Sequence, residues 1–262
     1  MNTNLRTAAS GMAAQQRMID VIANNLANVN TNGFKRSRVN FEDCLYETVQ
    51  ATRVVNYQGS QTVSPVQVGK GVRVAAVMRL HSQGALETTD RPLDLAIQGE
   101  GFFQIQRPDG KTAYTRDGSL TLSDSGTLVT VDGYTVLPGI VVPPEATSVT
   151  VSANGTVSVA GKGDNSPVEV GRLELARFLN PSGLESIGEN QMLETSASGP
   201  AIPGLPQEDG FGSIQQGALE TSNVEIVQEM TDMIAAQRAY EINAKAVKAG
   251  DEMAQATNEI VR

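Results

Sequence analysis

The sequence predicts an α+β chain: N- and C-terminal helices pair as a coiled-coil-like domain, and an all-β domain is inserted between them. Three observations carry this. Apolar residues recur at heptad-like spacing at both ends of the chain, whereas the middle changes to alternation with dense Asp-Gly and Asn-Gly turn signals. The two ends also carry opposite charge: residues 1–40 sum to +4 and residues 220–262 to −4, which makes them neighbours by electrostatics. Aromatics make up 4% of the chain and Trp is absent, so packing between small side chains is expected.

The N-terminal helix is predicted over about residues 3–29. Leu5, Ala8, Met12, Gln15, Ile19, Ile22, Leu26 and Val29 follow an unbroken 3,4 spacing, the pattern of a coiled-coil seam. At the usual rise it extends about 40 Å. Its end is rich in asparagine. Asn30, Asn32 and Gly33 fit a helix stop, because Asn and Gly tolerate the left-handed conformation. Asn24, Asn25 and Asn28 lie inside the predicted helix, where each costs about 0.5 kcal/mol relative to alanine. Their amides are expected to bond helices of neighbouring subunits and fix register, with a solvated polar face as the alternative. The C-terminal helix contains no proline from Ser222 onward, and its seam candidates are Ile226, Met230, Met233, Gln237, Tyr240, Ala244, Val247, Ala254 and Val261. Residues 1–36 and 220–262 are therefore assigned to one discontinuous assembly domain.

Residues 37–75 read as an extended connector or loose hairpin. Val49, Val54, Val55, Tyr57, Val63, Val66 and Val68 are β-formers, and Gln58-Gly59-Ser60 and Ser64-Pro65 supply turns, so the stretch is expected to form an arm. Residues 76–219 are assigned to the β domain. Asp-Gly pairs at 109, 117 and 132, Asp124-Ser125-Gly126 and Asn154-Gly155 punctuate short strands at hairpin spacing. Four prolines between residues 179 and 217 mark a return connector.

Chemistry is sparse. A net charge of −9 and a pI near 4.7 argue against a nucleic-acid partner. His81 is the sole histidine, which excludes a multi-histidine metal site, and Cys44 is the sole cysteine, which excludes an intrachain disulfide. Gly110-Lys111-Thr112 resembles the end of a phosphate loop, but Ile105 stands where the first glycine belongs. No Gly-x-Ser-x-Gly elbow occurs. No catalytic residue, metal ligand set or cofactor is expected. The N-terminus shows no apolar core with a cleavage site, so the protein is expected to be cytosolic or exported by an unconventional route.

The stretch ANNLANVNTNGFKRSRVNFEDCLYE resembles the N-terminal signature of the bacterial flagellar rod and hook axial family, and SNVEIVQEMTDMIAAQRAYEINAKAVKAGDEM resembles its C-terminal signature. RPLDLAIQGEGFFQI and YTRDGSLTLSDSGTLVTVDGY resemble the start of its β domain. Within the family, VQVGKGVRVAA and the modest length are most similar to distal rod members; a proximal rod or hook paralogue is the alternative, and a coiled-coil fibre protein a more distant one. The resemblance implies a non-enzymatic subunit that polymerises helically into a tube. It further implies export by the flagellar type III apparatus, a place in the periplasm among rod, hook and ring proteins, and torque transmission. In distal rod relatives the stretch corresponding to the arm goes with a straight, rigid tube.

Overall fold

A computed structural model describes residues 3–50, 53–55, 61–63, 65–161 and 167–260. The chain forms two compact units: Met1–Leu26, Ser37–Met78 and Glu225–Arg262 make the first, Ala27–Arg36 and Arg79–Val224 the second. The class is α+β, with one long helix near each end and antiparallel strands between them.

In the first unit, helix α1 spans Thr3–Ala27 and helix α2 spans Ile226–Ile260. They run antiparallel, as three contacts show. A Cβ on Gly250 would lie 2.8 Å from the Leu5 side chain, a Cβ on Gly11 would lie 3.1 Å from Asn243, and Asn25 bonds Glu229. Glycine at two of these points lets the helices approach closely. The segment between them forms a ladder of paired strands. Ser37–Asp43 pairs with Val72–Arg79, Tyr46–Gln50 with Val66–Gly69, and Arg53–Val55 with Gln61–Val63. The ladder attaches to α1 where the Val72 N–H donates to Ser10 Oγ at 3.2 Å.

The second unit is built on a nine-stranded sheet whose central strand is Phe102–Gln106. Side chains alternate across it with the period of a strand. Phe103 and Ile105 enter one core with Leu95, Ile97, Leu120, Val136 and Leu173; Phe102 enters another with Tyr114, Phe178 and Met192. The sheet is thus covered on both faces, which explains why the run Phe102–Ile105 is buried throughout, Gln104 included, rather than alternating with exposed positions. Edge-to-face contacts of Phe178 with Tyr114 (4.8 Å) and Phe102 (5.8 Å) order the second core. The unit also holds a three-stranded sheet, Ala146–Val151, Thr156–Gly161 and Val168–Arg172, and two strand pairs, Leu95–Gln98 with Ser213–Gln216 and Leu86–Thr88 with Ala218–Glu220.

Most of the predicted turn pairs are turns, with Gly110, Gly126, Gly133 and Gly155 at positive φ. Asp117-Gly118 is different. Gly118 lies where a Cβ would stand 1.6 Å from the Leu95 carbonyl oxygen, and that backbone crossing is closed by the Leu95 N–H donating to Gly118 O at 3.0 Å. The glycine is there for close approach, not for a hairpin.

Candidate functional site: a buried charge junction and the helix faces

α1 ends at Ala27, and the chain turns through Thr31, whose N–H donates to the Asn28 carbonyl at 3.1 Å. Gly33 follows at φ +67, a left-handed conformation that a side chain adopts at a cost, and a Cβ there would press within 2.8 Å of the Arg116 backbone. Its N–H donates to the Glu220 carbonyl at 2.7 Å. Three residues later the Arg36 N–H donates to Asn223 Oδ1 at 2.7 Å. The segment leaving α1 and the segment entering α2 are therefore bonded side by side within the second unit.

Between these bonds lies a buried ionic cluster. Lys35 (1% exposed) pairs with Glu220 Oε1 and donates to the Ser82 carbonyl at 2.8 Å. Arg116 Nη1 pairs with Glu220 Oε2 at 3.2 Å, while Nη2 donates to the Gly99 carbonyl at 2.7 Å and the guanidinium lies 5.3 Å from the centre of the Phe102 ring. Glu220 (1% exposed) also accepts the Gly84 N–H at 3.0 Å. Two cations share one carboxylate. Burial lowers the pKa of Lys35 and of Arg116, and in each case attraction to Glu220 opposes the shift. His81, edge-on to Phe102 at 5.7 Å, feels the same surroundings. Burial, then repulsion from Lys35, Arg116 and Arg79, push its pKa down to about 4, so the ring is neutral at pH 7.

The first unit has a smaller polar clasp. Asn25 (1% exposed) donates to the Ser37 carbonyl at 2.8 Å, accepts the Ser37 N–H at 2.9 Å and donates to Glu229 at 3.1 Å. This buried asparagine is engaged by its own chain. Asn24 faces outward, and Asn28 accepts the Thr31 hydroxyl at 3.2 Å at the helix end.

Of the other seam candidates on α1, Ile22 is buried, while Leu5, Met12, Ile19, Leu26 and Val29 are half-buried. On α2, Met233 and Val247 are half-buried, whereas Ile226, Met230, Gln237 and Tyr240 are exposed. The residues α2 buries most are Glu229 and Ala236, and Ala14 does the same on α1. In the arm, Val66 is exposed, Val54, Val55 and Val63 lie in the short strands, and Tyr57 lies outside the described residues. Cys44 is half-buried.

Three family profiles match, in order along the chain. "Flagella basal body rod protein" covers residues 5–35, "Flagellar hook protein FlgE/F/G D1 domain" covers 96–159, and "Flagellar basal body rod FlgEFG protein C-terminal" covers 215–260. The flagellar basal-body rod protein FlgG of Caulobacter vibrioides is 51% identical over 257 residues, 98% of each chain. The FlgG of Borreliella burgdorferi is 48% identical over 98% of each chain, and that of Bacillus subtilis 40% over 97% of each. The chain belongs to the FlgG family of flagellar basal-body rod proteins. Each profile contributes one member of the buried cluster: Lys35 from the first, Arg116 from the second, Glu220 from the third.

Proposed function

We propose that the chain is the structural subunit of the flagellar distal rod, polymerising helically into a tube that carries torque through the periplasm to the hook. Its partners are further copies of itself, other rod and hook proteins, the surrounding rings and the type III export apparatus. The role is mechanical and not catalytic. The observation that supports this best is similarity to FlgG proteins over nearly the whole of both chains. The helix faces fit it. Val227, Met230 and Ile234 stand 78%, 52% and 51% exposed on the first turns of α2, an apolar strip that association would bury.

In this proposal, α1 and α2 pair as a coiled-coil-like assembly domain. The partly covered residues Leu5, Met12, Ile19, Leu26, Met233 and Val247 complete their packing against neighbouring copies. The stretch beyond Tyr46 is the arm that stiffens the tube, with Val54, Val55, Val63 and Val66 in its strands; Tyr57, also assigned to it from the sequence, lies outside the described residues. Depleting the protein in its own host tests the reading. Basal bodies isolated from depleted cells should lack the distal rod and carry no hook; normal basal bodies would overturn it.

A further inference from the structure

The second unit ends in sequence at Val224, and the stretch 211–221 just before that end runs through its interior: Phe211, Ile214, Ala218 and Glu220 are all buried. Ser213–Gln216 pairs with Leu95–Gln98, and Ala218–Glu220 with Leu86–Thr88. Among the described residues neither of the two earlier strands has another strand partner. The stretch also ties in the three-stranded sheet, because the Ile214 N–H donates to the Ala153 carbonyl at 3.0 Å while the Gln216 amide donates to the Val149 carbonyl at 2.9 Å and accepts the Val151 N–H at 3.1 Å. At its end, Glu220 brings the carboxylate that pairs with Lys35 and Arg116.

We propose that this stretch is the keystone of the second unit: no stable fold forms there until residues 211–221 dock, so a chain under synthesis stays open until they have emerged. The proposed function gives this order a use, since an export apparatus needs a chain it can still thread. The folding order itself does not depend on that reading.

The reason lies in what the unit is without the stretch. Leu95, Ala96 and Ile97, each at most 1% exposed, would be buried with backbone N–H and C=O groups left unpaired, which is costly. Lys35 and Arg116 would enter the interior without the carboxylate that balances both, and a buried charge without its partner is strongly destabilising. What remains is local. Hairpins such as Phe102–Gln106 with Thr112–Thr115 close short loops, but a two-stranded pair alone is marginal in water. The contacts that close the unit span 104 residues from Arg116 to Glu220 and 185 from Lys35 to Glu220, so closure waits for the end of the unit's sequence.

Refolding of the full-length chain from urea, at a concentration too low for tube formation, tests the order. Pulsed amide exchange should show Phe102–Gln106 gaining protection in the same phase as Ser213–Gln216. Ile214→Ala should slow that phase about tenfold, with more than half of the logarithmic change in the folding equilibrium appearing in the folding rate. Ile214→Val gives the same comparison if the alanine variant does not fold. Protection of Phe102–Gln106 in an earlier phase would overturn the proposal, as would a loss that falls mainly on the unfolding rate, because the stretch would then dock onto a unit already formed. Either failure leaves the rod reading untouched, since nothing in this measurement involves polymerisation.

Discussion

Removing the charge of Glu220 should be far more damaging than removing the charge of Lys35, although the two are partners. Glu220 is the carboxylate that pairs with both buried cations, Lys35 at 1% and Arg116 at 6% exposure. In Glu220→Gln the shape and the acceptor for the Gly84 N–H survive, but two like charges are left in a site with little access to water. Breaking a buried pair in this way costs about 3–5 kcal/mol. Lys35→Met leaves Arg116 and Glu220 as a balanced pair. It takes one of two donors from the Ser82 carbonyl, which still accepts from Asn223 at 3.0 Å, and removes the desolvation cost of an ammonium of similar size, so the net change should stay within about 2 kcal/mol. Thermal and urea unfolding followed by near-ultraviolet circular dichroism reads aromatic packing in both units, with Tyr114 and Tyr134 reporting on the second. For a unit of this size Glu220→Gln should lower Tm by about 6–20 °C, with Lys35→Met well above it. Equal losses in the two variants would refute the two-cation, one-anion reasoning.

The other predictions concern pH, the helix clasp and the arm. His81 is held neutral in the folded chain, its pKa lowered from 6.5 to about 4, so the unfolded chain takes up a proton first as pH falls. Its contribution should be complete above pH 6.5 and lost on the way down to about 4, a change on the order of 3 kcal/mol, and His81→Gln should flatten that part of the stability curve. Asn25→Ala removes both bonds to Ser37 and one donor from buried Glu229; it should destabilise the first unit by about 1–3 kcal/mol and speed amide exchange in α1, and unchanged exchange would count against the clasp. Leu26→Asp places a carboxylate in a half-buried helix position and should yield soluble protein with an intact β unit that forms no tubes, as sedimentation would show. Deleting residues 53–65 should leave polymerisation intact but give curved tubes in electron micrographs; tubes as straight as the parent would place stiffness elsewhere.

The sequence reading reached the helices, the turns and the family, and the physical reason is that these signals are local. Heptad spacing and an asparagine-rich stop are visible within a few turns, as is Asn-Gly at a hairpin. The faces of α2 were harder to read. Periodicity selects Met230 and Gln237 as readily as their neighbours, but small side chains decide which stripe meets the chain's own α1, and Ala236 and Gly250 give no strong hydrophobic signal. Asp117-Gly118 looks like a turn because close backbone approach and positive φ both call for glycine. The charge cluster was not legible at all. Lys35 and Glu220 are 185 residues apart and Arg116 and Glu220 are 104, and each alone looks like an ordinary surface charge. Only the tertiary fold places them together.

Polymerisation of the purified full-length chain is the decisive measurement. Raising its concentration at neutral pH and imaging the product should show straight, hollow tubes of uniform diameter that lengthen with added protein. A monomer, or a small closed oligomer whose mass stops growing with concentration, would contradict the assignment of this chain as a self-assembling rod subunit.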